Sequence, residues 1–100
     1  MNETLTSSPP SARTDVAEVT LVTTTACHFC DDAHERLVEL AGRGLLNLTT
    51  VPADSPAGQA LIGEHRPRMF PLTLVGGRFF NDGRISRGKL ARLVEQLEAR

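Results

Sequence analysis

Hydrophobic positions along the chain change period several times, and each change marks an element. Ala17 to Thr23 reads AEVTLVT, rich in β-branched residues, with Val19, Leu21 and Ala17 on one side, which predicts a first strand. From Cys27 to Ala41 the spacing lengthens. Cys30, Ala33 or His34, Leu37, then Leu40 or Ala41 recur every three to four positions, while Asp31, Asp32, Glu35, Arg36 and Glu39 fall mostly elsewhere. That pattern predicts an amphipathic helix ending near Gly42 and Gly44. Leu45 to Val51 predicts a second strand, Pro52 to Pro56 a loop, and Ala57 to His65 a short helix stopped by Arg66-Pro67. Pro71 to Val75 is almost continuously apolar, as a strand buried on both faces would be. Gly76-Gly77 predicts a tight hairpin turn into a fourth strand, Arg78 to Asn81, where Phe79 and Phe80 point to opposite faces. Ser86 to Ala99 predicts the last helix: Ser86 caps it, Ile85 and Leu90 form a staple, and Leu90, Leu93, Val94 and Leu97 form the stripe.

Strand, helix, strand, helix, strand, strand, helix is an α/β order. Two crossovers followed by a hairpin imply a four-stranded mixed sheet flanked by helices. The chain's 100 residues fit one domain, here residues 16–100, preceded by a Ser-, Thr- and Pro-rich stretch, residues 1–15, that reads as a disordered tail. A hydrophobic content of 40% and a charged content of 23% suit a globular protein. The net charge of -1 offers no field for nucleic acid, and the four aromatics, all Phe, offer no base-stacking surface. No apolar run is long enough for a bilayer, and the N-terminus lacks the basic start and apolar stretch of a signal peptide. These features predict a cytoplasmic protein, with no nucleic acid or membrane partner.

The chemistry concentrates in Cys27-His28-Phe29-Cys30, which holds both cysteines of the chain. In a reducing compartment such a pair is catalytic or metal-binding more often than structural. The first turn of a helix offers unpaired backbone N–H groups and the positive end of the helix dipole, both of which favour thiolate. Pairs of this spacing have a cysteine pKa lowered by roughly one to five units. Cys27 is placed for that effect. Cys30 lies on the apolar stripe and should be more buried. The asymmetry suits a nucleophile, Cys27, and a resolving thiol, Cys30. A protonated His28 would stabilise the thiolate, while Asp31 and Asp32 would oppose it through a screened, solvated face.

With Met69-Phe70-Pro71 opening the third strand and Gly76-Gly77 following it, the chain resembles the thioredoxin-like superfamily, and its small glutaredoxin-like members in particular, over about Ala17 to Ala99. The resemblance implies a thioredoxin-like fold and thiol-disulfide exchange. It also implies that Pro71 is cis and faces the cysteines, and that the Phe70 backbone pairs with substrate as an added strand. The chain departs from the family where His28 and Phe29 replace the usual Pro-Tyr, and where Thr24 replaces a basic residue. FFNDGRISRGK is also longer and more basic than the glutathione-gripping segment of glutaredoxins. Candidate substrate contacts are His28, Phe29, Phe70, Pro71 and Arg68, with Arg66 as a second cation for a carboxylate.

The expected substrates are disulfide-containing proteins or glutathione mixed disulfides. No bound cofactor is expected; glutathione or a reductase partner supplies electrons, and the protein works as a monomer. The competing reading is a metal or iron-sulfur module, in which Cys27, Cys30 and His34 give a C-x2-C-x3-H spacing completed by His28, His65 or a second chain. A third reading is an adaptor that binds partners without turnover.

Overall fold

A computed structural model describes residues 16–99. The expected tail, residues 1–15, lies outside the described residues. The elements follow in the order β1 (Ala17–Thr23), α1 (His28–Gly42), β2 (Leu46–Pro52), α2 (Pro56–His65), β3 (Leu72–Val75), β4 (Arg78–Asp82) and α3 (Arg87–Glu98). They form one four-stranded sheet in the order β2-β1-β3-β4. β1 pairs parallel with β2 and antiparallel with β3, and β4 returns antiparallel along β3. This mixed sheet with helices on its faces is the architecture the alternating pattern predicts.

Two apolar clusters hold the layers together. On one face Val19 and Leu21 of β1 meet Ala33, Leu37 and Leu40 of α1 and Leu93 and Leu97 of α3. On the other, Val22, Leu72 and Leu74 meet Leu61 and Ile62 of α2. β1 and β3 therefore carry apolar residues on both faces, as the runs around Leu21-Val22 and Leu72–Leu74 require. Each fully buried Leu or Val contributes about 1.5–3 kcal/mol. Thr73, at 0% exposure, is the buried polar residue of this core among the described residues.

Local chemistry sets the element ends. Ser86 caps α3 by accepting the Lys89 N–H at 3.1 Å, and Ile85 is buried against the cluster that Leu90 and Val94 also join. Gly44 takes a φ of +77° just past α1, a conformation glycine adopts without strain. Gly76 and Gly77 have φ of +60° and +78° and close the two-residue turn between Val75 and Arg78. Beyond it, Thr73 pairs with Asn81 and Leu74 with Phe79, so Phe80 is an extra residue in a bulge. Phe80 packs on the α1–α3 face and Phe79 stays exposed, the predicted division.

Several boundaries differ from the sequence reading. Cys27 is the N-cap of α1, not its first helical residue, because its backbone is still extended at φ -119° and ψ 104°. Pro56 starts α2 instead of ending a loop: a first-turn proline loses no helical hydrogen bond, and Ser55 caps the helix by accepting the Gly58 N–H at 3.0 Å. Pro71 precedes β3, its ring nitrogen having no hydrogen to give a ladder. β2 is shifted one residue onward, to Leu46–Pro52.

Candidate active site

The C-terminal end of β1 and the start of β3 lie side by side, because Val22 pairs with Leu72. One step further on, Thr23 leads towards Cys27, and Pro71 ends the α2–β3 loop. The cysteine pair and Pro71 thus share one end of the sheet. Ala26, at φ +52°, turns the chain sharply just before Cys27. An alanine in that region costs on the order of 1–2 kcal/mol, which the surrounding fold must offset. The sequence carried no sign of this turn, since neither glycine nor asparagine marks it.

Cys27 and Cys30 are joined as a disulfide, with Cα atoms 5.1 Å apart. The Cys27 sulfur takes the place of the oxygen in an ordinary N-cap: it accepts the Cys30 backbone N–H at 3.1 Å. The Cys27 carbonyl accepts the Asp31 N–H at 3.0 Å. The second cysteine's amide therefore holds the first cysteine's sulfur at the positive end of α1. Burial divides the pair: Cys30 is 3% exposed, whereas Cys27 is only partly buried.

The neighbours are now placed. His28 and Phe29 occupy the first turn of α1, both exposed, Phe29 at 42%. Asp32 accepts from the Arg36 side chain at 3.2 Å one turn along. Asp31 faces solvent. Pro71 is fully buried, its bond to Phe70 is cis, and its carbonyl accepts the Gly83 N–H at 2.9 Å. Phe70 packs its ring towards the α2 face. Its backbone N–H and C=O form no hydrogen bond with other described residues. Met69, 52% exposed, packs against Gly83 and leaves an apolar surface at the same end.

Asp82, the last residue of β4, does more than lead into the turn at Gly83: its carboxylate accepts the Arg68 backbone N–H at 2.8 Å, tying the loop before Pro71 to the end of β4. Arg68 is exposed beside that carboxylate, and Arg66 caps α2 at φ +50°. The signal was a charged residue at a strand end opposite a loop, visible only once the strand order is known.

His34 points away from this arrangement. It is exposed on the flank of α1, in a groove shared with Val38 and the edge strand β2. Among the described residues no three His, Cys, Asp or Glu side chains gather as a metal site. The proposed Cys27, Cys30 and His34 set is not assembled, because Cys30 faces the core and His34 faces solvent. A cleft of about 450 Å³ opens between Thr23–Thr25 and Pro52–Asp54, beside the loop that leads to Cys27. Neither cysteine lines it. No helix among the described residues is long and apolar enough to cross a membrane.

No protein-family model and no curated protein sequence matches the chain. Solved structures do. A Staphylococcus aureus protein of unknown function, SA0789, superposes with a TM-score of 0.61 at 14% identity, covering 86% of this chain and 94% of its own. Glutaredoxin 1 from Francisella tularensis, in complex with cacodylate, gives a TM-score of 0.54 at 12% identity, covering 85% of this chain and 100% of its own. The fold is thus thioredoxin-like, with a disulfide-bonded pair of cysteines at the start of α1. Within that class its small three-helix, four-strand form is glutaredoxin-like.

Proposed function

We propose that the chain is a glutaredoxin-like thiol-disulfide oxidoreductase that cycles Cys27 and Cys30 between dithiol and disulfide. One observation carries the reading: the sulfur of the partly exposed Cys27 is held by the Cys30 amide at a helix start, while Cys30 itself is buried. The amide and the helix dipole favour Cys27 as thiolate. In the reducing direction that thiolate attacks one sulfur of a substrate disulfide. The S–S bond breaks, the other substrate sulfur leaves with the electron pair and takes a proton, and a mixed disulfide with Cys27 forms. Cys30 then attacks the Cys27 sulfur, releases the second substrate thiol and closes the internal disulfide. A dithiol reductase or two glutathione molecules restore the pair, supplying two electrons and two protons.

The substrate is a protein disulfide or a glutathione mixed disulfide. The unpaired Phe70 backbone supports docking by strand addition, with Phe29 and His28 at the rim and Pro71 beneath. Arg68 offers a cation to a substrate carboxylate. The proposal includes a cytoplasmic monomer with no resident cofactor. Insulin reduction and reduction of a glutathione mixed disulfide test it directly. Turnover in the wild type and its loss in Cys27→Ser are expected. No turnover of either substrate by the wild type would leave the adaptor reading in its place.

A further inference from the structure

Reduction of the disulfide poses a problem at Cys30. When an external thiolate attacks the accessible Cys27 sulfur, the bond to Cys30 breaks and the electron pair goes to the Cys30 sulfur. That sulfur belongs to a residue 3% exposed, on the helix stripe that continues into Ala33, Leu37 and Leu40. A thiolate leaving into an apolar core is costly unless a donor meets it.

One donor on that face is unused. Thr73 is 0% exposed, and its hydroxyl oxygen has no hydrogen-bond partner among the described residues. Its ladder partner is Leu21, which packs against Ala33 and Leu37 on the α1 face. Its other partner, Asn81, meets Lys89 of α3 at 3.3 Å and so looks to the same side. Cross-strand partners share a face, so Thr73 lies on the sheet face that α1 and α3 cover, the face also taken by Pro71 two residues before it. Cys30 lies one turn before Ala33 on that helix.

We infer that the Thr73 hydroxyl is a hydrogen-bond donor to the Cys30 sulfur in the reduced protein, left unpaired in the oxidised one. The inference rests on the reading of Cys27 and Cys30 as a reversible pair. Reduction then gains a buried hydrogen bond that the disulfide form lacks. The hydroxyl stabilises the leaving thiolate during attack on Cys27, and it raises the reduction potential of the pair. No group is transferred by Thr73; the two electrons and two protons come from the external thiols, which become a disulfide.

The test is the equilibrium of the purified protein with glutathione redox buffers, followed by alkylation and mass spectrometry. Thr73→Val, of nearly the same shape, should shift the constant about tenfold towards the disulfide, the scale of one buried hydrogen bond and about 30 mV more negative. Thr73→Ser keeps the hydroxyl and should stay within about twofold of wild type. Urea unfolding of both redox forms separates this role from plain packing. Thr73→Val should destabilise the reduced form relative to the oxidised form, whereas a packing role lowers both equally and leaves the constant unchanged. If Thr73→Val folds poorly, Thr73→Ala carries the same comparison with the same sign. An unchanged constant, or a shift towards the dithiol, overturns the inference. Because this equilibrium needs no enzyme turnover, its failure and a failure of the proposed activity are separately visible.

Discussion

Two glycines of α2 should respond to alanine with opposite signs. An ordinary Gly→Ala change inside a helix stabilises by about 0.5–1 kcal/mol, because glycine has more backbone freedom to lose. Gly63 meets that condition: a Cβ there has nothing within 4 Å. Gly58 does not. A Cβ there would run into the Pro52 carbonyl oxygen and lie 3.0 Å from both the Cα and the carbonyl carbon of Ala53. These are backbone atoms at the end of β2, unable to swing aside. The same carbonyl accepts the Ser55 hydroxyl at 2.7 Å and the Ser55 N–H at 3.1 Å, so moving it also disturbs the cap of α2. Overpacking of this kind costs about 1–3 kcal/mol, which exceeds the helix gain. The two variants should therefore differ by about 1–3 kcal/mol, with Gly63→Ala above wild type and Gly58→Ala below it. For a domain of this size each kcal/mol moves the melting temperature by about 4–8 °C. Thermal and urea unfolding of the two variants read this directly. A Gly58→Ala protein as stable as Gly63→Ala would refute the close seating of α2 on the end of β2.

Three further outcomes follow from the same geometry. Leu37→Ala, at a position 0% exposed between α1 and the sheet, should cost about 2–5 kcal/mol in urea unfolding, a large share of a small domain's stability. Gly77→Ala should destabilise the β3–β4 hairpin by about 1 kcal/mol at its φ of +78°, and an unchanged unfolding midpoint would contradict the turn geometry. Asp82→Ala should lose about 0.5–1.5 kcal/mol and loosen the loop before Pro71, seen as faster amide exchange at Arg68, while Asp82→Asn keeps an acceptor oxygen and recovers most of the loss.

Much of this arrangement was legible along the chain. The helix period from Cys30 to Leu40 and the double-sided burial of Leu72 to Leu74 are properties of spacing, and spacing survives folding. The difference in burial between Cys27 and Cys30 follows from the same period, since only Cys30 falls on the stripe. What stayed hidden depends on distant segments meeting. Asp82 reads as a turn residue until β4 is placed against the loop that holds Arg68. Thr73 reads as one more β-branched strand residue until it proves fully buried between Leu21 and Asn81, its hydroxyl without a partner among the described residues. Ala26 in a left-handed conformation contradicts local preference, so no propensity argument finds it. Pro52 and Pro56 both look like loop prolines along the chain, whereas one ends a strand and the other begins a helix. Proline restricts φ in both settings, and only the neighbouring hydrogen bonds decide between them.

Which sulfur an outside thiol or disulfide meets first decides the roles of Cys27 and Cys30. Incubating Cys30→Ser with oxidised glutathione or a peptide disulfide, then mapping the adduct by mass spectrometry, measures this directly. A stable mixed disulfide on Cys27 in Cys30→Ser, together with a far slower reaction at Cys30 in Cys27→Ser, is the expected result. Equal rates at the two sulfurs, or faster capture by Cys30, would contradict it.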